Sequence, residues 1–194
     1  VAHRLQRPTL EGVKVAVQGV GHVGYYLCQY LAEAGAQLTV TDIDAKAMEQ
    51  MADKWGANTV HPDSIYEAKV DVFAPCAMGA VINDETLPRL QANIVAGSAN
   101  NQLSQAHHGE SLAAQKILYA PDYVINAGGI INISHERPVY DEVKAYAHTA
   151  QIHDTLMDLF RKANAAQMAP EKMADKMAEA RIFNARQQQN SVAA

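Results

Sequence analysis

The stretch VAVQGVGHVG, residues 15–24, limits the possible folds of this chain more than any other. Val13, Val15, Ala16 and Val17 make a near-continuous apolar run, the pattern of a strand buried on both faces of its sheet. Gly19, Gly21 and Gly24 follow with the spacing G-x-G-x-x-G. Beyond them Val23, Leu27, Tyr30, Leu31 and Ala34 recur at helical intervals, and Gly35 supplies the stop. A buried strand that turns through three glycines into an amphipathic helix opens a βαβ unit, and such units build parallel sheets.

The rest of the chain repeats the alternation. Residues 37–41 read as a second strand, and Asp44 is placed to cap a helix reaching about Trp55. Further short strands are expected at 58–60, 70–73, 93–96 and 117–119. The expected fold is therefore α/β, a doubly wound Rossmann-type parallel sheet with helices on both faces. From about Ile125 the character changes. INAGGIINISHERP carries adjacent glycines and leads to Pro138, after which 139–165 and 170–186 read as long C-terminal helices, with Pro170 in a first turn. Met173, Met177, Ala180 and Ile182 give the second helix only a broken apolar stripe, and the tail QQQNSVAA is expected to fray. The expected division is a sheet domain over 1–138 and helices over 139–194 that pack on it or on a further domain.

At 48% hydrophobic and 19% charged, the 194 residues have the composition of a globular domain with a full core. A net charge of −5 lacks the basic excess that a nucleic-acid partner would demand. No apolar run approaches the ~18 residues of a membrane span, and no secretory signal opens the sequence. Neither nucleic acid nor membrane is an expected partner, and the cytoplasm is the expected location. Cys28 and Cys76 lie far apart in sequence without a C-x-x-C pairing, so neither a disulfide framework nor a zinc site is expected. His107 and His108 are adjacent, and His148 and His153 are five apart, so neither pair has the i, i+4 spacing of a metal-binding helix. No metal is expected. A chain that opens on Val1 and enters a strand by about residue 13 is expected to be a piece of a longer polypeptide.

The glycine turn has a specific chemistry. Gly19 allows the tight turn, Gly21 lets the backbone approach a diphosphate, and Gly24 permits close helix–strand packing. The helix N-terminus around His22 and Val23 then offers free N–H donors and a positive dipole end to the phosphates. Asp42 lies 23 residues after Gly19, directly after the strand QLTVT, where an acid grips the adenosine ribose and repels a 2′-phosphate. That selects NAD over NADP. Two further loops fall where open parallel sheets place their crevice. APCAMGAVIN, residues 74–83, has small residues beside which a flat ring can lie; GSANNQL, residues 97–103, has two adjacent carboxamides able to bind an amide or ribose hydroxyls.

With these loops the sequence resembles the C-terminal, NAD-binding half of the glutamate, leucine, phenylalanine and valine dehydrogenases, the leucine enzymes above all. The likeness runs through VAVQGVGHVGYYLCQYLAEAGAQLTVTDID, FAPCAMGAVIND, AGSANNQL and LYAPDYVINAGGIIN, in the family's order. It implies NAD-dependent oxidative deamination of an L-amino acid to its 2-oxo acid, a branched-chain substrate, and a homo-oligomer. By this resemblance Gly19, Val20, Gly21, His22, Val23 and Gly24 would hold the diphosphate, and Asp42 with Ile43 the adenosine ribose. Cys76, Ala77 and Met78 would flank the adenosine half. Asn100 and Asn101 would face the nicotinamide end, supported by Asn126. Ile130 and Ile133, three apart and so on one helix face, would line a substrate side-chain pocket. The family's amino-terminal domain carries the catalytic lysines and aspartate, and no lysine here sits in such a context: Lys14 lies within the first strand, and Lys46 and Lys54 fall on a surface helix. No catalytic residue is expected in this chain, and alone it is expected to be inactive. The rival reading is a free-standing NAD-responsive binding module without catalysis.

Overall fold

The computed structural model describes residues 1–136 and 139–192, with side chains placed through residue 188. Six strands form one sheet: β1 (Lys14–Gln18), β2 (Gln37–Thr41), β3 (Asn58–Thr59), β4 (Val70–Pro75), β5 (Ala92–Val95) and β6 (Leu118–Tyr119). They are all parallel, in the order β3-β2-β1-β4-β5-β6. The described helices are α1 (Ala2–Leu5), α2 (His22–Glu33), α3 (Ala45–Trp55), α4 (His107–Ala114), α5 (Asp122–Ile125), α6 (Gly128–Ser134), α7 (Glu142–Ala165) and α8 (Pro170–Val192), with 3₁₀ turns over Pro62–Glu67 and Leu87–Arg89. This is the doubly wound order of a Rossmann sheet, whose direction of winding reverses between β1 and β4.

The apolar run of β1 has a physical cause: the strand feeds two cores at once. Val15 and Val17 join Leu38, Val40, Val72, Ala74 and Ile94 beneath Cys28 of α2 and Met51 of α3. Ala16 points the other way, with Phe73, Val95 and Tyr119, against Ile65, Tyr66 and Leu112 of α4. The same alternation runs through β4 and β5, as the two-residue period of a strand requires. A polar residue at any of these positions would enter one core or the other.

Helix α2 packs on a face rotated from the expected stripe, which it shares at Leu27 and Leu31. Gly24 and Cys28 are fully buried, with Leu27 and Leu31 partly so, whereas Val23, Tyr26 and Tyr30 are exposed. Small residues at 24 and 28 let the helix lie close to the sheet, and that row outcompetes the bulkier apolar one. Helix α3 follows expectation: Asp44 accepts from the Lys46 N–H at 2.9 Å, and Gly56 in the left-handed region closes the helix.

The segment INAGGIINIS, expected as a break in character, runs from the last residue of α5 through Asn126 and Ala127 into the short helix α6. Helix α7 packs on α5, α6 and α8, and Leu159, Phe160 and Ala174 form a third cluster with Ala120 beside the end of β6. Met173 and Met177 pack on this cluster, while Ile182 is exposed. Pro170 is the first residue of α8, which continues to Val192, so the tail expected to fray is helical as far as it is described. Pro138, the expected boundary before the C-terminal helices, lies outside the described residues. No described helix is long and apolar enough to cross a membrane.

Candidate functional site

The three glycines of the turn are required by three different surroundings. Gly19 has φ +94°, and a Cβ there would lie 2.6 Å from the Ala77 Cβ, so only glycine fits between the loops after β1 and β4. A Cβ on Gly24 would lie 2.0 Å from the Gly19 carbonyl oxygen, which makes this the point where α2 presses on the turn. Gly21 is the opposite case: nothing lies within 4 Å of the place its Cβ would occupy. Packing does not require glycine there, but an approaching group would. Gly21 is also the N-cap of α2 and offers no side-chain oxygen, and the first turn holds no acid. The N–H groups of His22, Val23 and Gly24 are thus left for an anion, in an open cradle that a side chain would fill.

Hydrogen bonds tie the ends of three strands around this cradle. The Gly19 N–H donates to the Thr41 carbonyl at 2.8 Å, and the Cys76 N–H to the Gln18 carbonyl at 2.7 Å. Asp42 accepts from the Val20 N–H at 2.7 Å with one carboxylate oxygen and from the Asp44 N–H at 3.0 Å with the other. Its carboxylate therefore holds the glycine loop as well as standing at the end of β2, half-buried, with lone pairs left for a sugar hydroxyl. Val20 is buried, while His22, Val23, Ile43, Ala77 and Met78 are exposed around the opening.

The carboxamides form a second patch. Asn126 donates through Nδ2 to Asn100 Oδ1 at 2.6 Å, so the residue expected to support the loop does touch it. Asn101 has φ 52°, and its carbonyl accepts from the Ala80 N–H at 2.6 Å. A Cβ on Gly79 would lie 2.7 Å from the Asn100 carbonyl oxygen, so this glycine lets the two loops run side by side. Ile130 and Ile133 are exposed, 72% and 63%, on α6; they are not core residues of the described fold.

Several groups escaped the sequence reading. Gln102 and Asp122 are buried beneath the carboxamide loop, 20 residues apart in sequence. Cys28 and Cys76, 48 positions apart, come close enough to act on each other electrostatically: burial first, then Cys76, pushes the Cys28 thiol up to about 12. Burial raises the Cys76 thiol too, opposed by hydrogen bonds at Ser98. Asp84, His107 and His108 gather as a possible metal triad, which the spacing of the histidines alone did not show. The hydrogen bonds of His108 oppose that use. Its Nδ1 accepts from the Gln105 N–H at 3.0 Å, so in the neutral ring the proton sits on Nε2 and faces Asp84 Oδ1 at 3.1 Å. The nitrogen that would bind the metal is the one that carries the proton. That hydrogen bond holds the Asp84 carboxyl below its usual range. A cavity of about 710 Å³ opens at the opposite end of the sheet, among Lys14, Gln37, Asn58 and Val70, where none of these groups lies.

The chain spans about half the length of the curated relatives it matches. It is 49% identical over 174 residues to a leucine dehydrogenase of Thermoactinomyces intermedius, covering 90% of this chain and 48% of that one. It is 45% identical over 195 residues to an L-tryptophan dehydrogenase of Nostoc punctiforme, covering 100% and 55%. The crystal structure of an L-tryptophan dehydrogenase from that organism superposes with a TM-score of 0.92 at 47% identity, over 95% of this chain and 56% of that chain. A hetero-hexameric glutamate dehydrogenase from Thermus thermophilus shares the fold, with a TM-score of 0.68 at 17% identity, over 89% of this chain and 46% of its own. The family model described as glutamate/leucine/phenylalanine/valine dehydrogenase matches residues 40–193, beginning beyond the glycine turn whose geometry is set out above. On this match, on the relatives and on the parallel sheet, the chain belongs to the glutamate/leucine/phenylalanine/valine dehydrogenase family.

Proposed function

We propose that this chain is the NAD-binding portion of an amino acid dehydrogenase, and that the catalytic groups reside in a part of the parent protein outside it. The observation that carries the reading is the open space at Gly21, bounded by a crowded Gly19, a crowded Gly24 and the carboxylate of Asp42. When bound, NAD supplies the hydride acceptor. The N–H groups at the start of α2 hold its diphosphate, Asp42 takes the adenosine ribose, and Asn100 and Asn101 meet the nicotinamide end. Cys76, Ala77 and Met78 border the adenosine half. On this reading the catalytic groups lie outside the chain, and the chain alone turns over no substrate.

The parent's substrate is a branched-chain L-amino acid, leucine foremost, taken against Ile130 and Ile133 once the pocket is completed. An aromatic substrate is the second reading, supported by the fuller coverage of the tryptophan enzyme. The parent works in the cytoplasm as a homo-oligomer. Calorimetric titration of the chain with NAD and NADP tests the proposal: NAD binds and NADP binds negligibly. Equal affinities would remove the role of Asp42, and turnover of leucine, valine or isoleucine by the chain alone would show that catalysis resides within it.

A further inference from the structure

The loop that presents Asn100 and Asn101 is held from beneath by a side chain with no assigned role. Gln102 is completely buried. Its Nε2 donates to the carbonyls of Gly97 at 2.8 Å and Ala99 at 3.0 Å, and two acceptors on that side fix which way the amide points. Its backbone joins the neighbouring segments: the N–H donates to Asp122 Oδ2 at 3.4 Å, and the carbonyl accepts from the Ile82 N–H at 3.0 Å. Asp122 is buried too, and its other oxygen accepts from the Tyr119 hydroxyl at 3.1 Å. The carboxamides stand above this knot, and Asn126, which grips Asn100, donates its own N–H to the Asp122 carbonyl at 2.9 Å.

The amide of Gln102 also carries a cost, because Oε1 is buried without a hydrogen-bond partner. A methionine of similar length would fill the space without that orphan, so what the glutamine contributes is its two bonds to the loop carbonyls. We propose that Gln102 is a positioning residue: by drawing the 97–102 turn onto its amide, it sets Asn100 and Asn101 where the nicotinamide end of the dinucleotide meets them. The inference rests on the dinucleotide reading of the glycine turn.

ADP separates the two claims, since it shares the adenosine and diphosphate of NAD and lacks the nicotinamide riboside. Calorimetry of the wild-type chain, Gln102→Met and Tyr119→Phe with both ligands is the test. In Gln102→Met the dissociation constant for NAD rises about tenfold, as the loss of one to two hydrogen bonds implies, while that for ADP stays within about twofold. Tyr119→Phe shifts the same ratio less, and it decides the matter by the same criterion if Gln102→Met does not fold. A purely structural role would weaken both ligands by one factor or neither, and either result overturns the proposal. A wild-type chain that binds NAD no more tightly than ADP refutes the positioning role and leaves the glycine turn standing. Failure to bind either ligand removes both.

Discussion

Alanine substitutions at Gly21 and Gly24 should separate fold from binding. At Gly24, inside α2, alanine gains about 1 kcal/mol of helix propensity. Against this, its Cβ would lie 2.0 Å from the Gly19 carbonyl oxygen, 3.0 Å from its carbon and 3.6 Å from the Cys76 Cβ. Ordinary contact begins near 3.4 Å, so helix or turn must retreat by more than an ångström, and Cys28, on the same buried face, is lifted with it. Overpacking of this kind costs about 1–3 kcal/mol, and because the clash is with backbone the upper end applies. After the propensity gain, the net loss is about 2 kcal/mol, or roughly 4–8 °C in melting temperature for a chain of this size. At Gly21 the added methyl meets nothing, and its φ of −63° suits any residue. The loss there is that of an N-cap glycine against alanine, about 0.5 kcal/mol. The same methyl fills the space through which a diphosphate approaches; losing one to two charge-assisted hydrogen bonds costs about 3 kcal/mol, roughly a hundredfold in NAD affinity. Differential scanning fluorimetry and calorimetry on the two variants give a crossed pattern: Gly21→Ala folded but much weaker in binding, Gly24→Ala destabilised. Wild-type NAD affinity in a folded Gly21→Ala would refute the backbone cradle, and an unchanged melting temperature in Gly24→Ala would refute the close seat of α2.

Three further results are expected. Asp42→Asn keeps an acceptor for the Val20 N–H but removes the charge and the acceptor for the exposed Asp44 N–H, so calorimetry should show the preference for NAD over NADP falling about tenfold or more, with a stability loss of about 1 kcal/mol for the one bond; an undiminished preference would place discrimination elsewhere. Burial raises the Glu171 carboxyl, opposed by its own backbone N–H and by Lys172, with Glu110 and Asp175 adding to the rise, and among the described residues no other group donates to its two buried carboxylate oxygens. The folded chain then binds the proton more tightly than the unfolded one, so this group destabilises above its folded pKa and the penalty fades as pH falls toward 4.5. Glu171→Gln should therefore melt a few degrees higher than wild type at pH 7 and gain less near pH 4; a gain independent of pH would exclude the charge as its cause. Finally, zinc or a chelator should leave the melting temperature unchanged, because His108 directs its protonated nitrogen at Asp84; a zinc-induced rise would show that the ring adopts the other tautomer.

How much was legible depended on how local the cause was. Strand β2 falls where its alternation puts it, and Asp44 caps α3 as its type suggests, because both depend on neighbours within a few residues. The glycine turn was legible because close approach and positive φ leave few alternatives to glycine. The inner face of α2 was not, because counting apolar residues favours Val23 and Tyr30, while close packing favours Gly24 and Cys28. The bond of Gln102 to Asp122 and the pairing of Asp84 with His108 join residues 20 and 24 positions apart, through loops whose closure no local pattern encodes. Asp42 lay between these cases: its place after β2 was readable, its bond back to Val20 was not.

The outermost strands of the sheet, Asn58–Thr59 and Leu118–Tyr119, are each two residues long, and α8 lies against the second. Each rim therefore offers too little free backbone to template a ladder with another molecule, the hazard that long bare rims create. Short rims of this kind disfavour fibre-like stacking through the strands and leave side chains on helices and loops as the better surface for association of copies.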